Sequence, residues 1–269
     1  YDENFALIDS HQLEFKQFFP FDGWVEHDPK EILESVLFVI KKIFSENQLK
    51  SSDIASIGIT NQRETSVLWD RRNGEPIYPA IVWQDRRTSK FCEELKPDFE
   101  DLIHRKTGLV LDSYFSATKV AWILNNVEGA RKKADEGDLA FGTIDSFLIW
   151  HLTSGREHKT DVTNASRTML FNLEENDWDE ELLKLFNIPS NILPEICDNA
   201  SNFGCTSLFG GDISIGGSAG DQQAALIGQR CFKPGEAKCT FGTGCFVLVN
   251  TGDDIKLSNN KLLSTVAYR

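Results

Sequence analysis

Several features are scarce in this sequence of 269 residues. Its longest apolar runs, such as residues 37–40, are far shorter than the ~20 residues of a membrane-spanning helix. Positive charge is also scarce, because 28 Lys and Arg residues face 41 Asp and Glu residues, for a net charge of −13. A chain so acidic lacks the bulk attraction that draws proteins to nucleic acids and anionic membranes. We therefore expect neither kind of partner.

The cysteines and histidines exclude a common kind of metal site. The six cysteines contain no C-x-x-C pair, and the five histidines lack the spacing of zinc ligands. This usage predicts reduced thiols in a reducing compartment rather than a metal–thiolate centre. No charged segment followed by an apolar stretch marks a signal peptide. The sequence therefore predicts a cytoplasmic protein.

Both ends of the chain have the pattern of an interrupted protein. Met169 is the single methionine, so residue 1 is not an initiator. Residues 262–268 read as a strand that ends without a following partner. We expect the sequence to be a fragment of a longer gene product.

Strand-like and helix-like patterns alternate along the chain. Asp28 and Pro29 form a helix start, residues 54–60 read as a strand, and weak alternation over residues 5–19 suggests a hairpin. Alternation of this kind predicts an α/β fold with a mixed or parallel sheet. After residue 235 the pattern changes to hairpins, which suggests two domains, 1–228 and 229–269.

Two predicted strands end in abruptly polar segments, where open α/β sheets bind ligands. Arg63 offers a planar fork of donors and Glu64 offers two acceptors, so together they could hold a vicinal diol. A solvated ion pair in a polar turn is the alternative. Trp83 ends another strand, where it could form a pocket wall or simply belong to the core.

Two further segments place polar side chains at predicted helix starts. Tyr114 precedes Ser116, a potential N-cap, so its hydroxyl could meet a substrate oxygen or pack beneath the cap. Asp221 follows a glycine-rich approach, with Gln222 beside it. A carboxylate there could orient an alcohol for phosphoryl transfer, but it could equally be an N-cap without further function.

A third candidate is a threonine between two glycines in a predicted hairpin turn, Gly242, Thr243 and Gly244. Backbone N–H groups and the hydroxyl could cradle a phosphate, which an acidic protein would need local donors to bind. Turns also use glycine for reasons unrelated to ligands.

Taken together, these segments resemble the glycerol kinases of the FGGY carbohydrate kinase family. The resemblance spans nearly the whole chain, and residues 114–126 fit a signature of the family. Residues 61–65 are typical of kinases for glycerol rather than for sugars. The segments that carry the resemblance are 23–29 (GWVEHDP), 57–65 (IGITNQRET), 114–123 (YFSATKVAWI), 164–171 (NASRTMLF), 219–223 (AGDQQ) and 242–244 (GTG).

The resemblance implies an actin-like ATPase fold, with two RNase H-like domains around a cleft, and ATP-dependent phosphorylation of glycerol to sn-glycerol 3-phosphate. It implies that Asp221 is the base and helps to place Mg²⁺, and that a full-length member is a homodimer or homotetramer. Nucleotide phosphates would contact Thr243 with Gly242 and Gly244. Glycerol would be bound by Arg63, Glu64, Tyr114, Asp221 and Gln222, between apolar walls formed by Trp83 and Phe246.

The sequence also departs from the family pattern. It lacks the first phosphate hairpin, an Asp-x-Gly-Thr-Thr motif, and most of the second domain. The resemblance is therefore to an N-terminal domain without its first strand, followed by the start of the C-terminal nucleotide domain. A kinase for another polyol or sugar, and a catalytically incomplete polyol-binding fragment, remain alternative interpretations.

Overall fold

A computed structural model of the chain describes residues 1–242 and 244–269. Within these residues, no helix is both long and apolar enough to cross a membrane. The α-helices are α1 (Pro29–Glu46), α2 (Ser89–Thr107), α3 (Ser116–Asn126), α4 (Ala130–Asp135), α5 (Ile144–Leu152), α6 (Val162–Ala165), α7 (Glu180–Leu185) and α8 (Asp221–Gly228).

Short strands alternate with these helices, as the sequence predicts. They are β1 (Gln17–Phe18), β2 (Glu26–His27), β3 (Ile57–Asn61), β4 (Val67–Asp70), β5 (Ala80–Ile81), β6 (Leu139–Gly142), β7 (Lys159–Asp161), β8 (Phe171–Asn172), β9 (Asp177–Trp178), β10 (Glu195–Cys197), β11 (Cys205–Thr206), β12 (Ile213–Gly220), β13 (Ala237–Phe241) and β14 (Cys245–Val249).

Parallel and antiparallel pairs are combined, which confirms the mixed α/β prediction. Strand β12 pairs in parallel with β3 and antiparallel with β11, whereas β4 pairs antiparallel with β6. In the β3–β12 ladder, Gly220 lies opposite Asn61. The carboxyl ends of both strands therefore meet at one edge, so the segments that follow them are neighbours although they are distant in sequence.

The strands are packed on both faces by apolar side chains. Leu68 of β4 belongs to one buried cluster with Phe115 and Phe141, whereas its neighbours Val67 and Trp69 belong to another. Successive side chains of a strand point to opposite faces, so β4 contributes to a core on each side. This packing gives the strand ends a rigid support.

Several local signals in the sequence have the predicted structure. The Asp28 side chain accepts a hydrogen bond from the Lys30 N–H at 2.8 Å, and Pro29 is the first residue of α1. The residues before and after the Gly-Thr-Gly turn pair as the β13–β14 hairpin. Strand bounds differ from the predicted ones by a few residues, as in β3.

Two predictions for the chain ends were wrong. Residues 5–16 form no strand within the described part of the chain, because side chains tie this segment to α1 instead. Asn47 Nδ2 donates to Asp9 at 2.5 Å, and His11 Nε2 lies 2.8 Å from a Glu46 carboxylate oxygen. Residues 262–268 likewise form no strand, and the Ser264 N–H donates to a loop carbonyl at 2.9 Å.

Candidate functional site

A cavity of about 240 Å³ lies at the carboxyl ends of β3 and β12, beside the β13–β14 turn. The predicted site residue Thr243 lies outside the described residues. The other predicted site residues all line this cavity: Arg63, Glu64, Trp83, Tyr114, Asp221, Gln222, Gly242, Gly244 and Phe246. Segments that are far apart in the chain therefore converge on one small space.

Arg63 connects the two strand ends. Its Nε lies 3.2 Å from Asp221 Oδ1, and its Nη1 donates to Gln223 Oε1 at 3.0 Å. Gly220 makes this approach possible, because a Cβ there would lie 2.6 Å from both Cγ and Cδ of Arg63. The Arg63 side chain is 5% exposed, whereas that of Asp221 is 45% exposed. The arginine thus forms a buried support, and the carboxylate faces solvent and the cavity.

Glu64 occupies an unusual backbone conformation. Its φ is +61°, and the Thr65 N–H donates to the Arg63 carbonyl at 2.7 Å, which makes the segment a γ-turn. Left-handed backbone at a non-glycine residue is strained, and such strain is concentrated at functional sites. The turn directs a buried carboxylate toward the cavity, although the Glu64 residue is only 1% exposed.

Tyr114 is held by a network that sequence reasoning did not anticipate. Ser116 is not the N-cap of α3, because Phe115 occupies that position and the Ser116 hydroxyl donates to the Glu64 carbonyl at 3.1 Å. Lys119 Nζ donates to the Tyr114 carbonyl at 2.5 Å and to the Phe115 carbonyl at 3.2 Å. These contacts connect the start of α3 to the γ-turn.

Burial changes the acid–base properties of two of these groups. It raises the pKa of the Tyr114 phenol, with the Glu64 charge as a second cause, so the hydroxyl stays protonated and can donate. Desolvation lowers the pKa of the fully buried Lys119 to about 7. Three backbone carbonyls surround its nitrogen and compensate for the lost water.

Aromatic rings form the apolar wall of the cavity. The Trp83 ring lies 5.5 Å from Tyr114 and 6.3 Å from Phe246 between centroids, and both pairs are close to perpendicular. A Cβ at Gly244 would lie 2.6 Å from the Phe246 ring, so this glycine makes room for the wall. Such a surface suits the carbon-bound hydrogens of a small molecule whose hydroxyls meet the polar side.

Sequence reasoning missed Thr240 and Lys238 on β13. Lys238 Nζ contacts Gln222 Oε1 and donates to Thr240 Oγ1 at 2.8 Å, while Gln222 Nε2 donates to Asp221 Oδ2 at 2.9 Å. Burial, followed by repulsion from Arg63, lowers the pKa of Lys238. A lysine and a threonine on the strand that leads into the glycine turn were the available signal.

Gln62 and Arg167 were also missed as functional residues. Gln62 lines the cavity, and its side chain lies 3.2 Å from His27 Nδ1. Arg167 Nε donates to Glu64 Oε1 at 2.7 Å. Both residues belong to segments that carried the family resemblance, but nothing in their local sequence indicated a role.

Chemically, the cavity combines a guanidinium, two carboxylates, a phenol, two amides and a threonine hydroxyl with an aromatic wall. The donors and acceptors suit a compact molecule with several hydroxyl groups. Asp221 and Glu64 are its carboxylates, which are hard oxygen ligands of the kind that Mg²⁺ prefers.

The model of the FGGY family of carbohydrate kinases, N-terminal domain, matches residues 1–228. A curated relative from Alteromonas mediterranea named glycerol kinase is 59% identical over 262 residues, which is 96% of this chain and 53% of that protein. Glycerol kinase 1 from Pseudomonas aeruginosa is 57% identical over 265 residues, 97% of this chain and 54% of that protein. The chain spans about half the length of the curated relatives it matches.

Solved structures of related kinases match the fold of this chain. The crystal structure of Plasmodium falciparum glycerol kinase with ADP matches with a TM-score of 0.95 at 40% identity, over 100% of this chain and 55% of that one. A ligand-bound xylulose kinase from Lactobacillus acidophilus matches with a TM-score of 0.83 at 24% identity, over 92% and 50%. These matches confirm the actin-like ATPase fold that the sequence resemblance implied.

Proposed function

This chain belongs to the FGGY family of carbohydrate kinases, and on that premise we propose that the full-length protein transfers the γ-phosphoryl group of ATP to glycerol, giving sn-glycerol 3-phosphate. The observation that carries the proposal is the meeting of Arg63, Glu64 and Asp221 in one small cavity. The glycerol kinase names of the relatives, and the crystal structure of the Plasmodium enzyme with ADP, support it.

In this proposal, Asp221 is the base. Its half-exposed carboxylate accepts the proton of the attacking terminal hydroxyl while that oxygen forms a bond to the γ-phosphorus and ADP departs. Arg63 donates to a second hydroxyl. Glu64 accepts from a hydroxyl through Oε2, the carboxylate oxygen that does not accept from Arg167. Tyr114 and Gln222 supply further hydrogen bonds. Catalysis then comes from positioning and from stabilisation of developing charge.

The phosphate groups of the nucleotide would lie at the β13–β14 turn. Gly242 and Gly244 line the cavity beside Asp221 and can bring backbone N–H groups close to phosphate oxygens. From the sequence, we propose that Thr243 also contacts the phosphate oxygens. We also propose that residues 1–228 form the substrate domain and that residues 229–269 begin the nucleotide domain, because α8 ends at Gly228 and a hairpin follows.

The cavity offers few oxygen ligands for Mg²⁺. The pocket supplies two carboxylates, Asp221 and Glu64, and Glu64 already accepts a hydrogen bond from Arg167. One or two carboxylates together with substrate phosphates are the usual environment of this ion. We propose that Asp221 helps to hold Mg²⁺, which would neutralise phosphate charge when bound.

We place the full-length protein in the cytoplasm, where ATP is available and where free thiols such as the six cysteines remain reduced. We also propose that it forms a homodimer or homotetramer, as the family resemblance implies. Light scattering after size-exclusion chromatography tests the assembly.

The alternative is a kinase for another polyol or sugar, because the family whose model matches residues 1–228 is one of carbohydrate kinases. A coupled ADP-release assay on the full-length protein, with glycerol, erythritol and a pentulose as acceptors, separates the two. We expect kcat/KM for glycerol to exceed that for either other acceptor at least about 10-fold, since one added carbon unit costs roughly 10- to 200-fold in a fitted pocket. A preference for the pentulose would refute the glycerol assignment, and no ADP release with any acceptor would refute the kinase.

A further inference from the structure

Arg167 lies behind the cavity wall, where it is only 4% exposed. Its guanidinium carbon lies 5.1 Å from the centroid of the Phe115 ring and 5.7 Å from that of Tyr114. These distances are typical of cation–π contacts. The residue is therefore fixed against two aromatic rings, one of which lines the cavity.

From this position Arg167 contacts one of the two oxygens of the Glu64 carboxylate. Its Nε donates to Glu64 Oε1 at 2.7 Å, whereas the Nε of the adjacent Arg63 lies 3.9 Å from the same oxygen. In the part of the chain that the structure describes, no hydrogen bond involves Glu64 Oε2. Oxygen Oε1 thus faces Arg167, and Oε2 is the one left for a ligand.

Arg167 is itself held in place by α6. The Asp161 side chain caps this helix by accepting from the Thr163 N–H at 2.7 Å, and the Arg167 N–H donates to the Asn164 carbonyl at 3.0 Å. The Asn164 and Asn61 side chains exchange two hydrogen bonds, at 2.9 and 3.0 Å. The segment from the end of β3 through the γ-turn is therefore attached to α6 and the residues just after it at two points, Asn61 and Glu64.

We propose that Arg167 is a positioning residue that sets substrate specificity by presenting Glu64 Oε2 as the acceptor for one hydroxyl of a vicinal polyol. The inference rests on the proposed function and assigns a role to a residue that does not itself touch the substrate. Its physical basis is preorganisation, because a carboxylate that is already oriented loses little freedom when the ligand binds.

The test uses the full-length protein and the variants Arg167→Met and Arg167→Lys. For Arg167→Met we expect the KM for glycerol to rise about 10- to 100-fold, the range that corresponds to one charge-assisted hydrogen bond. We expect kcat to change less than about threefold. Arg167→Lys keeps the charge but not the planar fork, so it should recover part of the loss. Arg72→Met is the matched control, because Arg72 is 64% exposed and pairs with Asp70 away from the cavity.

Two further readouts separate positioning from mere structural support. With propane-1,2-diol and propane-1,3-diol as acceptors, the Arg167→Met penalty should shrink for the diol that lacks the hydroxyl bound by Glu64. In a Glu64→Gln background, Arg167→Met should add at most about twofold, because both changes remove the same interaction.

Equal penalties for all three acceptors, or full additivity with Glu64→Gln, would overturn the inference. A lower melting temperature with an unchanged glycerol KM would show a structural role only. If Arg167→Met does not fold, the same comparisons are made with Arg167→Lys. Failure of the proposed function is a different result, since the wild-type protein would then release no ADP with glycerol.

Discussion

Arg63 Nε lies 3.2 Å from Asp221 Oδ1, although the two residues follow different strands that are distant in sequence. The pairing depends on the register in which Gly220 lies opposite Asn61, and on the missing side chain at Gly220. The Asp221 side chain is 45% exposed, whereas that of Arg63 is 5% exposed, so the pair joins a buried cation to a carboxylate that solvent can reach. A ligand can therefore approach the carboxylate from the solvent side while Arg63 stays in place.

The first prediction is that Asp221→Asn lowers kcat by two orders of magnitude or more while the protein stays folded. The amide keeps the shape and can still accept from the Gln222 N–H, which now donates to Asp221 Oδ1 at 2.8 Å, but it cannot take up the proton. The coupled ADP-release assay measures the loss, and thermal melting checks the fold.

Asp254→Asn is the matched control, because this carboxylate is 78% exposed and pairs with Lys256. We expect it to leave both activity and melting temperature unchanged. Turnover of Asp221→Asn within about threefold of wild type would remove Asp221 from the role of base.

The second prediction concerns the strained backbone at Glu64, where φ is +61°. Glu64→Ala and Glu64→Gly both lack the carboxylate, so both should raise the KM for glycerol. Glycine adopts a left-handed conformation without penalty, whereas alanine does not. We therefore expect the glycine variant to be more stable by about 1 kcal/mol, measured as the higher melting temperature of the pair.

The same two substitutions at Glu34, which is exposed within α1, provide the control. There the order should reverse, because glycine costs about 1 kcal/mol relative to alanine inside a helix. An alanine variant at least as stable as the glycine variant at position 64 would show that the turn is not strained.

Local features of this fold were readable from the sequence. The helix start at Asp28 and Pro29 needs only neighbouring residues, and the β13–β14 hairpin follows from two short apolar runs around a glycine turn. The candidate site residues were recognised as a group through the family resemblance, and the structure brings together those that it describes.

Nonlocal contacts were not readable. The Arg167–Glu64 contact depends on how α6 packs against the end of β3, which no local pattern encodes. Serine is a residue type favoured at N-caps, but the Ser116 hydroxyl donates to the Glu64 carbonyl from the first turn of α3. Residues 262–268 had strand-like composition but no strand to pair with in the described chain, and a strand requires a partner.

The third prediction is that Phe246→Ala weakens discrimination between polyols of different length. The Phe246 ring closes the aromatic wall 6.3 Å from Trp83, so its removal enlarges the apolar side of the cavity. We expect the KM for glycerol to rise about 10-fold and the preference for glycerol over erythritol to fall by a similar factor. The ADP-release assay, run separately with glycerol and with erythritol, measures the KM and the preference.

Val247→Ala is the control on the same strand, because Val247 is 67% exposed and does not line the cavity. Val247→Ala should change neither the KM for glycerol nor the preference for glycerol over erythritol. An unaltered glycerol preference in Phe246→Ala would mean that the wall does not select for size.

The fourth prediction concerns a buried pair of acids beneath the site. Burial raises the pKa of Asp145 to about 7, and the charge of Asp161 adds to this effect. Asp161 accepts from the Thr163 N–H at 2.7 Å and from Asn164 Nδ2 at 2.6 Å, whereas Asp145 has hydroxyl partners, Thr160 among them at 2.7 Å. Asp161 is the better stabilised anion, so Asp145 is the carboxyl that keeps its proton.

A folded-state pKa of about 7, against an ordinary value of 3.8, means that the native protein binds more protons than the unfolded chain between these pH values. The stability that Asp145 contributes is therefore fully present below about pH 4 and is lost as the pH rises through 7, by about 1.4 kcal/mol per pH unit.

Asp145→Asn tests this dependence, because an asparagine at this position cannot titrate. The melting temperature of the variant minus that of the wild type should therefore increase from pH 5 to pH 7. Asp135→Asn, an exposed position in α4, should follow the wild type throughout. Parallel curves for wild type and Asp145→Asn would show that Asp145 is already ionised at pH 5 and would contradict the assignment.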